Sequence, residues 1–492
     1  MSSISSSAVD GLVSGLNTSG IITSLIAADA APQTRMKSSV SAAQLKVTAF
    51  QSINTKILAM QDAAAKLQDA TSWNPTKATS SHASVAVSAG SGAAVGSVNV
   101  TVTGIAKGKT TTSGVHEPGV TSLSTVLGGS PLDVMRSDGK FVTITPSSGT
   151  LTDVADAINR AEDLGIKAVA IRVGENKYRL QITSTRTGTD VGEFKIAAHG
   201  GVVSNGRDGL TRSDYASVTD VSAGNGYTST AATNASINTG TGDPDFTSKT
   251  NTFANIMTGL SLTVSEVTAS PVKISVTQDS AAVASAMEGL VTAANAVLSD
   301  IALQTRAGTP NANGSFTGGG SLRGDSGLRS LQGQIINAVT SAITATGTAT
   351  SAVTIGVQST RDGKITFDKA KFLSAYEANP TGVKNLVATK SVAVPADGKD
   401  GLATRLQMLG EVSTGKNSTT GVQDPTRGTL TAAISGQNNS ISDLTKRIAD
   451  WDVRLEQKKA QYQKYYGAME VSLGKLKSQS SWLAGQLASL QA

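Results

Sequence analysis

Hydrophobic positions recur along this chain with two periods, and the changes of period divide it. Near the C-terminal end Ile441, Ile448, Leu455, Tyr462, Met469, Leu476, Leu483 and Leu490 stand seven residues apart without a gap. Leu444, Trp451 and Tyr465 take the alternate seam position early, and Lys458, Ser472, Gln479 and Gln486 take it later. A heptad held this long predicts a coiled coil or a long packed helix. From about Leu430 it would run about 90 Å at 1.5 Å per residue. At the other end Thr18 and Ser19 are capping residues for a helix carrying Ile21, Ile22, Leu25 and Ile26. Pro32 permits a break. From Gln33 to about Ala70 the period is helical again, with Met36, Val40, Ala43, Val47, Phe50, Ile57 and Ala64 on one seam. Ile53, Met60 and Leu67 widen that seam. This helix would be about 55 Å long, and Trp73-Asn74-Pro75 ends it.

Between the ends the period falls to two. Ser84 to Val87 and Ser97 to Thr103 alternate apolar and polar residues as half-buried strands do, with Gly90, Gly92 and Gly96 in the turn. Lys140 to Thr145 reads as a strand. Leu151, Val154, Ala155, Ile158 and Ala161 form one face of a short helix. Ile166 to Val173 and Lys177 to Thr183 read as a hairpin around Gly174-Glu175-Asn176. Residues 200–250 are rich in Gly, Ser, Thr, Asn and Asp and read as loop or irregular β. Leu260 to Val267 and Val272 to Thr277 return to strand alternation. Helical spacing resumes at Ser280 with Val283, Met287, Leu290, Val291, Ala294, Val297, Leu298 and Ile301. A Gly-rich break at 308–320, a helix over Ser326 to Thr344, a small β element around Ile355 to Phe367 turning at Arg361-Asp362-Gly363, and a polar stretch at 390–428 follow.

Helices therefore sit at both ends and β-structure in the middle. The economical arrangement is two terminal helical segments running antiparallel, with the β-regions inserted at the far end of that stalk. Each terminal stripe is apolar on a face that one helix cannot bury by itself.

Composition supports this picture. The 492 residues include 50 Gly, no Cys, 4% aromatics and 16% charged residues, against about 25% charged in an average protein. Small side chains suit long helices and thin β-domains better than one large globule, and the length implies several domains. The net charge of +6 arises from 42 Lys+Arg against 36 Asp+Glu. No dense basic run interleaved with aromatics occurs, so nucleic-acid binding is not indicated. The absence of Cys excludes disulfides, thiol catalysis and Cys-ligated metal. The first basic residue is Arg35, so a secretory signal peptide is not expected. No apolar run of about 18 residues suggests a membrane span. Gly11, Gly15 and Gly20 each cost a helix about 1 kcal/mol relative to Ala, so residues 1–20 are expected to be unordered in the isolated chain.

Candidate chemistry is thin. Thr103 to Thr110 ends like a phosphate loop, but Thr103 stands where the motif needs Gly and no helical pattern follows. His82, His116 and His199 are scattered singly, without metal-ligand spacing. Asp153 with Asp156, and Asp243 with Asp245, read as helix-start and turn residues. Arg323-Gly324-Asp325 spells an adhesion tripeptide, yet it reads better as the lead into a helix. No catalytic residue, metal or cofactor is expected.

Three stretches resemble one family. They are Gly11-Leu12-Val13-Ser14-Gly15-Leu16-Asn17-Thr18 with Ile21-Ile22 and Ala31-Pro32 after it, Phe50-Gln51-Ser52-Ile53-Asn54-Thr55-Lys56-Ile57, and Ser478-Gln479-Ser480-Ser481-Trp482-Leu483-Ala484-Gly485-Gln486-Leu487. Leu322-Arg323-Gly324-Asp325-Ser326 and Ile355 to Phe367 add to the likeness. The combination resembles the flagellar filament-cap (hook-associated) proteins over roughly residues 9–75 and 275–490.

The resemblance implies an α+β multidomain fold, with a long antiparallel coiled-coil leg from both termini and two β-rich head domains inserted between. On that basis residues 1–35 form a segment flexible until assembly and 36–75 the first leg helix. Residues 76–110 with 251–277 form the head domain near the leg, and 111–250 the outer head. Residues 278–430 give further leg helices and a small β element, 431–477 the C-terminal leg helix, and 478–492 an assembly segment. The resemblance also implies a ring-like homo-oligomer at the distal tip of the bacterial flagellum that helps exported flagellin fold and insert. Its partners would be flagellin, hook–filament junction proteins and a cytoplasmic export chaperone at the C-terminal segment. Secretion would use the flagellar type III pathway, without membrane insertion. The expected assembly contacts are Ile21, Ile22, Leu25, Phe50, Ile53, Ile57, Ile441, Ile448, Leu455, Tyr462, Met469, Leu476, Trp482, Leu483 and Leu487. Two other classes compete: a surface adhesin binding host glycans or mucin through the heads, and an extracellular enzyme, for which no titrating cleft is apparent.

Overall fold

The structure is a computed structural model. It describes residues 15–116, 131–139, 141–161, 164–199, 220, 226–240, 244–312, 316–345, 349–391, 399–417, 420–424 and 426–490. The stretch before Gly15, Lys140 and Asp243 lie outside the described residues, as do most of residues 200–225. The chain divides into two units: residues up to Trp73 with those from Ala281 onward, and Asn74–Ser280.

The first unit is helical. Its helices are α1 (Thr18–Asp29), α2 (Ala31–Gln68), α3 (Ser280–Thr305), α4 (Ser326–Thr340), α5 (Lys369–Ala378), α6 (Pro380–Ala388), α7 (Leu402–Thr414) and α8 (Thr429–Leu490). The helix expected after Thr18 and Ser19 is present, and Thr18 to Gly20, expected to be unordered, form its first turn. Asn17 explains the start, because its Oδ1 accepts the Gly20 N–H at 2.6 Å as an N-cap. α2 ends at Gln68, two residues earlier than its period suggests. Trp73 folds back under it, donating Nε1–H to the Leu67 carbonyl at 2.7 Å.

The core lies where the C-terminal half of α2 meets α3. Ile53, Ile57, Met60, Ala64 and Leu67 pack with Met287, Leu290, Val297 and Ile301, all closed to solvent. Each of the larger side chains contributes about 1.5–3 kcal/mol by leaving water. α3 is also long and apolar enough, by composition, to cross a membrane, which the search for an unbroken apolar run does not reveal. Its apolar face is this core. α4 begins at Asp325, whose carboxylate accepts the Leu328 N–H at 2.9 Å, and stops at Thr340 rather than Thr344. The small β element pairs Val357–Ser359 with Ile365–Phe367. Asn295 of α3 holds that hairpin through both the N–H and the carbonyl of Ile365, at 2.8 and 2.7 Å. Helices α5, α6 and α7 were not apparent from the sequence pattern. Their caps are: Asp368 for α5 and Asn379 followed by Pro380 for α6.

The second unit is mostly β and holds two cores. One is shared by two antiparallel sheets. Five strands run in the order Thr76–Ser80, Val272–Gln278, Gly96–Gly104, Ala235–Asn238, Phe246–Ser248. Three run Thr252–Ala254, Leu260–Val264, Val85–Ala89. Val100, Val102, Ile237, Leu262 and Ile274 fill the space between them. The other core gathers Leu132, Val134, Ile158, Leu180, Ile182 and Phe194. Its elements are the three-stranded sheet Phe141–Ile144, Leu132–Arg136, Phe194–Ala198, the four-stranded sheet Thr228–Thr230, Thr110–Thr112, Lys177–Ser184, Ile166–Gly174, and the helix Leu151–Arg160. The hairpin around Gly174-Glu175-Asn176 is present, with Asn176 at φ 54°. Residues 235–248, grouped by sequence with the outer region, instead add strands to the first core, because Ile237 points into it.

Candidate assembly surface

The motifs with possible chemistry serve structure. Lys109, the lysine of the phosphate-loop look-alike, is buried, ion-paired to Asp220 at 2.6 Å and donating to the Phe194 carbonyl at 2.8 Å. A strand follows it, not a helix. Gly108 is required by close approach: a Cβ there would meet the Arg186 and Ser184 carbonyl oxygens at 2.3 and 2.6 Å. Asp153 closes the start of its helix, where Thr150 caps its N–H at 3.2 Å. Its carboxyl is held below the usual range by hydrogen bonds from Ser148 and then Thr150. Asp245 accepts from Thr103 and Asn238. His82 bonds Ser84 and His199 bonds Asp133. Among the described residues no group of three His, Cys, Asp or Glu is placed to hold a metal. In the adhesion tripeptide the Arg323 guanidinium covers the Phe316 ring at 4.3 Å and Asp325 caps α4.

The other candidate is the paired helices of the first unit. α2 runs antiparallel to α8. Its middle, at Phe50, lies beside Leu430 and Ala433 near the start of α8, its C-terminal half packs on α7, and Gln33, in its first turn, donates to the Ile448 carbonyl at 3.4 Å and to Asp452. α1 continues past α2 along α8, with Pro32 at the joint. Asp29 at that joint is gripped by three side chains of α8. Trp451 Nε1–H donates to its carbonyl at 3.2 Å, Lys458 Nζ to Oδ1 at 2.8 Å and the Tyr462 hydroxyl to Oδ2 at 3.2 Å. The hydrogen bond from Lys458 holds the Asp29 carboxyl below its usual range, and the same bond raises Lys458.

The expected contact residues fall into three groups. Phe50, Ile53 and Ile57 are buried in this unit's own core, as Ile22 is buried beside α8, so they offer no free surface. Ile21, Leu25, Ile441, Ile448, Leu455, Tyr462 and Met469 are half-buried in the seam. Leu476, Trp482, Leu483 and Leu487 are 54–65% exposed.

One seam residue needs correction. Tyr465 is 68% exposed, and Tyr466 beside it is half-buried. A strict heptad drifts about 20° per repeat on a straight α-helix. After three repeats the companion of each heptad residue has moved from the third following position (Leu444, Trp451) to the fourth (Tyr466, Leu473). The sequence holds a signal for the shift, since Lys458 and Ser472 break the third-position series while Tyr466 and Leu473 supply the fourth. Sequence reasoning also missed Asp29 and Gln33, polar residues that fix the seam's register.

Comparison with known proteins gives a consistent result. The family model for the flagellar hook-associated protein 2 C-terminus matches residues 232–478, and that for its N-terminus matches residues 14–109. The flagellar hook-associated protein 2 of Escherichia coli strain K12 is 27% identical over 494 residues, covering 99% of this chain and 98% of that protein. The same-named protein of Aeromonas caviae is 25% identical over 413 residues, covering 80% and 78%. Among solved structures, the D1-D2-D3 domains of the Escherichia coli flagellar cap protein superpose with a TM-score of 0.53 at 24% identity. That match covers 79% of this chain and 99% of that one, and it speaks to the fold.

Proposed function

The chain belongs to the flagellar hook-associated protein 2 family, and from that membership we propose that it is the structural cap at the distal end of the bacterial flagellar filament. There it promotes folding and insertion of exported flagellin and prevents loss of the subunits. The observation that carries this reading is the unfinished stripe of α8. The heptad is covered by α2 and α1 as far as Met469 and Leu473, then continues through Leu476, Leu483 and Leu487 in the open. Exposed apolar ridges of this kind mark sites of association.

In this reading the ridge is completed by neighbouring copies in a ring-like oligomer, and Ile21, Leu25 and the half-buried α8 residues edge the same contact. Flagellin and the hook–filament junction proteins are the other partners. Secretion follows the flagellar type III route, and a cytoplasmic chaperone shields the C-terminal segment beforehand. Lys464, Lys475 and Lys477 against Glu470 make the distal half of α8 basic, so that chaperone would present an acidic groove. The leg is the helical unit, and the two cores of Asn74–Ser280 are the heads. The adhesin alternative finds no support in the relatives named above.

Deleting Ser478–Ala492 tests the function. Cells should shed monomeric flagellin into the medium and lose filaments. Normal filaments with impaired surface attachment would instead favour the adhesin.

A further inference from the structure

α1 is a thin attachment. Thr18 and Ile22 are buried, Ile21, Leu25 and Ile26 are half-buried, and α1 packs mainly on α8. Pro32 lacks the N–H that would bond the Ala28 carbonyl across the joint, while the Ala30 N–H keeps the ordinary helical bond to the Ile26 carbonyl at 2.9 Å. Asp29 lies at the joint with Trp451, Lys458 and Tyr462 upon it. The carboxylate and ammonium each favour the other's charged form, as their shifted pKa values indicate. Beyond the cluster Tyr466, Met469 and Leu473 are half-buried on the side of α8 that α1 follows.

We propose that α1 is a strap that swings as one body about the Ala30–Pro32 joint, with the Asp29 cluster as its catch. When the strap opens, Tyr462, Tyr466, Met469 and Leu473 join the already exposed Leu476, Leu483 and Leu487 in one apolar seam. From Tyr462 to Leu487 that seam is about 38 Å long. The strap decides how much of α8 is available for contact.

Hydrogen exchange on the full-length protein tests this, with the amides of residues 50–68 in α2 as an internal control. Lys458→Met weakens the catch. Exchange in residues 18–29 and 462–474 should speed up together, roughly two- to fivefold for one lost exposed pair, while 50–68 stays unchanged. Pro32→Ala restores the missing N–H and stiffens the joint, so exchange in the same two segments should slow. Three results overturn the proposal: faster exchange in 18–29 alone, equal acceleration in 50–68, or no effect of Pro32→Ala.

Discussion

Asp300 shows how one side chain sets a condition for the helical core. Its carboxylate is nearly closed to solvent on α3, where Lys56 Nζ lies at 2.7 Å, the Ser52 hydroxyl donates at 2.7 Å and Gln304 donates at 3.3 Å. Burial pushes its pKa up, but the bonds from Lys56, Ser52 and Gln304 outweigh this and leave it below the ordinary value. Its share of stability is therefore present above the usual carboxylate range, about pH 3.9, and is lost as pH falls through the depressed pKa. Lys56→Met should cost about 1–3 kcal/mol at pH 7, less at pH 3, as measured by urea unfolding at both values. Gly108 is a steric case. Gly108→Ala places a methyl group against two backbone carbonyls, and should cost about 2 kcal/mol or more, read as a lower melting temperature for the β unit. Neither effect is legible in sequence, because each depends on partners from distant segments.

Among elements, strong periodicity was the legible part. α2, α3 and α8 follow from their stripes, and so does the 166–184 hairpin. α5, α6 and α7 did not stand out. Their buried residues, such as Phe372, Val387 and Leu406, sit in short runs among Lys, Asn and Thr. The seam's apolar members were legible too, but not its companion at Tyr466, because the drift of a heptad depends on the helix staying straight. The exposed end of α8 invites a separation of roles. Replacing Leu476, Leu483 and Leu487 together by Ser removes side chains that this unit does not bury. The melting temperature of the isolated chain should fall by no more than about 3–6 °C, since changes at exposed sites stay within about 0.5 kcal/mol each and three sum to about 1.5 kcal/mol. Filament formation should nonetheless fail in cells carrying only this variant. A large fall in melting temperature would mean that those leucines stabilise the chain itself.

For the whole molecule, composition and period forecast helices outside and β-structure inside, and the division into Asn74–Ser280 and the rest agrees with that. Position along the chain was a poorer guide within the β unit, where the strands at 235–248 rejoin the first core across a Gly- and Thr-rich stretch. The two units have separate hydrophobic cores, so thermal unfolding should show at least two transitions by calorimetry. A single two-state transition would indicate strong coupling between them.

Gln33 meets Ile448 and Asp452 across more than 400 residues of intervening chain. The first long helix to be synthesised waits for the last. Such high contact order slows folding, and while α2 waits its greasy face is open to capture by anything sticky nearby. A nascent copy is thus the vulnerable species: a stalled ribosome leaves the stem half-built, whereas the inserted β unit, with cores of its own, can already be finished.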